Sequence, residues 1–246
     1  MTQDSPDLGE KALSKVAEVG ITSQLDDVEE LNVDIRTNPV KLVQGEVDSV
    51  TIEGKGIVMQ QDLRMESLEV NTSSVAINPL SAVFGDLQLT QPTDAEAQVV
   101  LLEDDINHAF TSDYLRGKLR GLKMEMNGQP ITVNVQRSTI HLPGEGKLVL
   151  DAEFMIIEQA ELKKIKATMI PRVEENGHRI ALEILSAEGE GLTPELIRSV
   201  FDQIINLLDL RNFDIPGMSL QLHRLEPQVG QLVIHARTQI EQIPSA

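Results

Sequence analysis

Residues 147–156 read KLVLDAEFMI, and residues 161–188 read ELKKIKATMIPRVEENGHRIALEILSAE. In the first stretch Leu148, Leu150, Ala152, Phe154 and Ile156 fall on every second position. In the second, Ile165, Ala167 and Met169 do the same, as do Ile180, Leu182 and Ile184 beyond Glu174-Glu175-Asn176-Gly177. A period of two puts these side chains on one face of a strand. Asn-Gly between two such runs marks a hairpin. Strands of about ten residues or more twist and curve. The chain therefore reads as long antiparallel strands with one aliphatic face.

The same period extends outward in both directions. Upstream, Ile131, Val133 and Val135 give way to Ile140 and Leu142, and this change of phase predicts a β-bulge. Pro143-Gly144-Glu145-Gly146 then reads as a turn. Further upstream, Val50, Ile52, Gly54, Gly56 and Val58 share a face opposite Thr51, Glu53 and Lys55. The glycines stand where a backbone or a ligand approaches closely. Leu63 and Met65 change phase to Leu68 and Val70, which predicts a second bulge; Leu87, Leu89, Val99 and Leu101 add strand material. Downstream, Met218, Leu220 and Leu222 pair in pattern with Leu232, Ile234 and Ala236 across a turn at Glu226–Gly230.

Three segments change to helical spacing. Leu8, Ala12, Leu13, Val16 and Ala17 precede Gly20, a helix stop. Ile106, Ala109, Phe110 and Leu115 follow the acids Glu103, Asp104 and Asp105, which suit a helix N-terminus over 103–116. Thr193-Pro194-Glu195 opens the clearest helix, 194–208, with a cap and a first-turn proline. Its apolar face is Leu196, Ile197, Val200, Phe201, Ile204, Ile205 and Leu208. The fold expected is α+β: long antiparallel strands, strongly twisted or curved, with a few amphipathic helices. Residues 1–7 read as a loose tail, and 8–240 as one elongated domain of two similar halves, about 8–125 and 126–240.

Composition narrows the function. Of 246 residues, 21 are Lys or Arg and 39 Asp or Glu, a formal net charge of −18, which repels a nucleic-acid backbone. Aromatics are 2% of the chain, with no Trp and one Tyr, so base-stacking platforms are excluded. There is no Cys, hence no disulfide, thiolate metal site or Cys nucleophile. None of the five histidines pairs with another at ligand spacing, and no Walker, GxSxG or HExxH pattern occurs. The chain is expected to be no enzyme, and to need neither metal nor cofactor. No signal-like start and no apolar run of membrane-spanning length is seen, so the expected place is the cytoplasm or the inner face of a membrane.

Several stretches together resemble the bacterial LmeA-like phospholipid-binding family. They are Val47-Asp48-Ser49-Val50-Thr51-Ile52-Glu53-Gly54, the run from Leu68-Glu69-Val70 to Val75-Ala76-Ile77-Asn78-Pro79-Leu80, and Leu101 to Leu119. Leu192-Thr193-Pro194-Glu195-Leu196 through Ile215-Pro216-Gly217-Met218 is similar too, so the resemblance covers roughly 10–236. It implies a tubular lipid-binding (TULIP-like) architecture, a long, highly curved antiparallel sheet wrapped around amphipathic helices with an apolar groove for acyl chains, and lipid binding or transfer rather than chemistry. Better-known members carry an export signal, which this chain does not show.

Two candidate sites follow. The groove is expected between helix 194–208, through the apolar face named above, and the strand face of Val50, Ile52 and Gly54; packing of that helix face as ordinary core is the other reading. Leu115–Lys123 is the one basic stretch of an acidic chain. Arg116, Lys118, Arg120 and Lys123 there either dock on anionic headgroups, at about 1 kcal/mol per residue, or simply complement a helix end. Leu80 and Ala82-Val83-Phe84 form either a tip that dips into lipid or a buried connection. A partner protein bound by a non-catalytic scaffold of the same fold is the alternative function.

Overall fold

The computed structural model describes residues 8–59, 63–78, 88–126, 128–207 and 218–241. Helix α1 (Leu8–Thr22) leads into strand β1 (Glu30–Arg36), a short helix α2 (Pro39–Gln44) and β2 (Glu46–Val47). Then come β3 (Ser49–Met59), β4 (Leu63–Thr72), β5 (Val75–Ala76) and β6 (Thr93–Leu102). Helices α3 (Glu103–Ala109) and α4 (Asp113–Lys118) precede β7 (Leu122–Met126), β8 (Gln129–Gly144), β9 (Lys147–Ile156), β10 (Glu161–Glu174) and β11 (Arg179–Glu188). Helix α5 (Pro194–Leu207), β12 (Met218–Gln228) and β13 (Gln231–Ile240) complete the order. The architecture is α+β, mostly antiparallel strands with a strongly curled half-barrel sheet.

Strands form a six-stranded sheet, β1-β3-β4-β6-β13-β12, and a five-stranded one, β11-β10-β9-β8-β7. The last two strands therefore join the sheet of the first half, with β13 on β6. The five-stranded sheet curls around α5. Its core is Phe154, Ile156, Ile165, Ala167 and Val133 against Leu196, Val200 and Phe201. A second core lies under α1, where Ala17 meets Val33, Ile35, Val47, Val75 and Ile77.

The bulge expected in β8 is present, between Val135 and Arg137. The one expected in β4 is not: β4 keeps constant register with β3 on both sides of the apparent slip. The irregularity lies in the partner strand, at Gly56, whose φ is +57°. The helix expected over 103–116 is also corrected. It breaks, because Ser112 caps a new helix by accepting from the Leu115 amide at 3.2 Å.

Helices α1, α3 and α5 cap strand edges with side chains four residues apart. Glu10, Ser14 and Glu18 of α1 accept from the amides of Thr37, Ile35 and Val33 at 2.8, 3.1 and 3.5 Å. On α3, a Glu103 carboxylate oxygen accepts from the Leu142 amide at 2.6 Å, while Asn107 brackets the Ile140 peptide at 2.7 and 2.8 Å. On α5, Ser199 and Gln203 donate to the carbonyls of Glu125 and Lys123 at 2.9 and 3.1 Å. The spacing works because four helical residues rise about 6 Å and two strand residues about 6.6 Å. Backbone groups that would invite pairing by another chain are thereby satisfied.

The β10–β11 turn is docked on β12. Gly177 has φ +94°, and a Cβ there would lie 2.5 Å from the Leu222 carbonyl oxygen and 3.0 Å from its amide nitrogen. Both are backbone atoms, which cannot swing aside. Gly177→Ala is expected to destabilise the fold by about 3 kcal/mol, lowering Tm by roughly 6–12 °C in a thermal melt.

Candidate lipid-binding surfaces

Register across the six-stranded sheet sorts its residues by face. One row runs Leu31, Gly54, Leu68, Val99, Ile234 and Leu225. The next is Val33, Ile52, Val70, Ala97, Ala236 and Leu222, and the third Ile35, Val50, Thr72, Ala95, Thr238 and Leu220. Residues directly opposite in antiparallel strands share a face. This face is thus aliphatic, apart from Gly54 and two threonines. The reverse face carries rows such as Asp34, Thr51, Asn71, Glu96, Arg237 and Gln221.

Burial across the aliphatic face is uneven. Val33 and Ile35 are sealed under α1, and Leu222 and Ala236 are buried at the other side. Between them Leu68, Val70, Ala97, Val99 and Ile234 are only half-buried. At about 4.8 Å per strand, the three strands that carry these residues, β4, β6 and β13, span roughly 10 Å.

A family model described as LmeA-like phospholipid-binding matches residues 6–237. The chain belongs to the LmeA-like phospholipid-binding family. No curated protein sequence matches it.

Within this LmeA-like fold, the residues expected to line one groove fall in two places. Val50 and Ile52 pack with α1 on the six-stranded sheet. Leu196, Val200 and Phe201 are buried against the five-stranded sheet, with Ile197 and Ile204 half-buried beside them. Ile205 is half-buried as well. Leu208, Leu80 and Ala82-Val83-Phe84 lie outside the described residues. The close approach expected at the glycines is made by the protein itself. A Cβ on Gly54 would meet Ile57 Cδ1 at 2.5 Å, and one on Gly56 would meet the Glu29 side chain at 2.3 Å.

All four basic residues of 115–123 are exposed. Lys123 Nζ donates to Thr132 Oγ1 at 2.8 Å, and its carbonyl accepts from Gln203, which puts this stretch beside α5. Arg116 and Arg120 make no ion pair among the described residues. Arg64 contrasts with them. It bonds Glu29 at 2.9 Å and Glu66 and Asp105 at 2.8 Å, joining β4 to α3. Those carboxylates, Glu29 foremost, hold its guanidinium well above the usual arginine range.

Leu68, Val70, Val99 and Ile234 were legible as strand residues but not, with Ala97, as one surface, because β13 meets β6 from far along the chain. The nearest signal is charge complementarity on the reverse face, where Arg237 pairs with Glu96 at 3.2 Å. Among the described residues no group of three or more His, Asp and Glu is placed to hold a metal, and no helix is long and apolar enough to cross a membrane.

Proposed function

We propose that this protein is a non-catalytic carrier that holds phospholipid by its acyl chains, laid on the half-buried aliphatic face of the six-stranded sheet. One observation carries this reading: three consecutive aliphatic rows, backed by a charged face, in a chain of a phospholipid-binding family. Burial of each methylene contributes about 0.8 kcal/mol and needs no polar partner. Val50 and Ile52 belong to that surface at its α1 side. Gly54 serves it indirectly, by leaving room for Ile57. The apolar face of α5 forms a separate lining.

Arg116, Lys118, Arg120 and Lys123 are proposed to bring the protein to anionic headgroups, so that docking is peripheral and falls with added salt. The reading includes 8–240 acting as one unit in the cytoplasm or at the inner face of a membrane. The test is native mass spectrometry of the purified protein after incubation with phospholipid vesicles, with and without anionic lipid. A stoichiometric phospholipid adduct, loaded faster from anionic vesicles, is expected. A protein that stays lipid-free with both vesicles overturns the carrier reading in favour of a protein-binding scaffold.

A further inference from the structure

The reverse face of the six-stranded sheet is hollowed on its β12 side. Asn71, Glu96, Arg237 and Gln221 stand in one row across β4, β6, β13 and β12. Two residues along, Asp94, Gln239 and Ser219 form the next row on the same face. These rows line a cavity of about 640 Å³. A smaller one of about 290 Å³, against the β10–β11 turn, shares Gln221 and Arg237 with it. The two volumes therefore meet at one glutamine and one arginine, across the sheet from the aliphatic rows.

Much of the hydrogen-bonding capacity of this groove is unused. Arg237 donates to Glu96 Oε1 from Nε at 3.3 Å and from Nη2 at 3.2 Å. Gln239 donates to Asp94 Oδ1 at 3.3 Å. Among the described residues the second oxygen of each carboxylate accepts no bond, and the side chains of Gln221 and Ser219 make none. All seven side chains of the two rows are exposed, so a solute reaches them.

We propose that this groove binds a free sugar or polyol, held by Asn71, Asp94, Glu96, Gln221, Arg237 and Gln239. The mixture of charges selects it. A phosphate or other anion would face Asp94 and Glu96, and an ammonium group would face Arg237. A hydroxyl both donates and accepts, so carboxylate, carboxamide and guanidinium all serve it. These six groups are planar and end in two or more polar atoms, which suits pairs of adjacent hydroxyls. Strands β4, β6 and β13 are interior, so a peptide finds no free backbone edge on them. The site stands apart from the carrier reading, because lipid on the aliphatic rows lies on the other side of the sheet. No aromatic ring lines the groove, so affinity is expected to be weak, with a Kd of about 1 mM.

The lining carries its own probes. The side-chain amides of Asn71, Gln221 and Gln239 report on the groove by proton–nitrogen NMR. Gln98, on the same face but outside the groove, and Gln231, at the far end of β13, are internal controls. Isotopically labelled protein is titrated with maltose and, separately, with myo-inositol, each to about 20 mM, well above a millimolar Kd. Saturable shifts of the three groove signals with at least one compound, with Gln98 and Gln231 unmoved, are expected. Gln221→Ala should weaken the same binding by roughly three- to tenfold, the effect of one lost hydrogen bond, and leave the spectrum otherwise dispersed as in the parent. No shift with either compound overturns the proposal, as do shifts that extend equally to the controls or that survive Gln221→Ala with unchanged affinity. None of these outcomes bears on lipid uptake, which is scored separately.

Discussion

The Val200→Asp protein is expected to be unfolded at room temperature. Val200 is 9% exposed and sits among Leu196, Phe201 and the inward residues of the curled sheet. The change removes an apolar side chain and puts a carboxylate among the aliphatic side chains of the core. Lost packing and desolvation together cost more than about 4 kcal/mol, a large share of the stability of an ordinary domain. Far-UV circular dichroism through a thermal melt, with proton–nitrogen NMR dispersion, reads the outcome. Val200→Leu, similar in polarity, should melt within a few degrees of the parent. A folded Val200→Asp protein that had lost its lipid would show the opposite: a carboxylate tolerated because this helix face borders a cavity. The experiment therefore separates core from groove at α5 directly.

Much of the fold was legible because period two and turn chemistry are local signals. The turns at Pro143–Gly146 and Asn176-Gly177, the Thr193 cap of α5 and the bulge in β8 all follow from neighbours in sequence. Thr193 Oγ1 accepts from the Leu196 amide at 3.2 Å, as its type and position imply. What failed was long-range or two-sided. The phase change at Leu63–Val70 suggested a bulge, but most of the first half of β4 is half-buried on both faces. Apolar residues there change face without any slip in pairing. The break in helix 103–116 rests on one hydroxyl, and a serine inside an amphipathic pattern is a weak warning.

The candidate site shows the same division. Amphipathicity identified Val50 and Ile52 as one wall and the α5 face as another, and nothing local could say that different sheets carry them. Register decides that, and register between β6 and β13 depends on pairing across most of the chain. The edge-capping pairs Glu10/Ser14/Glu18 and Ser199/Gln203 were visible only as polar residues on amphipathic helices. Their partners are backbone groups, which leave no mark in the sequence.

Val70→Asp should keep its fold and lose its lipid. Val70 stands in the middle row of the aliphatic face, between Ile52 and Ala97, and is half-buried. A carboxylate there can reach water in the empty protein, so folding loses a modest amount. In the loaded protein the same carboxylate would be covered by methylenes and would have to shed its hydration, a penalty borne by the complex alone. Phospholipid retention is therefore expected to drop by at least about tenfold, equivalent to about 1.4 kcal/mol, with the melting temperature lowered by only a few degrees. Gln98→Glu is the matching control. It adds a negative charge on the reverse face, opposite Glu69 and His235, so net charge changes equally while the aliphatic rows are untouched. Loss of lipid in both variants would mean that retention follows overall charge and docking. Loss in Val70→Asp alone places the acyl chain on this face. Unchanged retention in Val70→Asp removes the six-stranded sheet from the site and leaves the apolar face of α5 as the remaining lining.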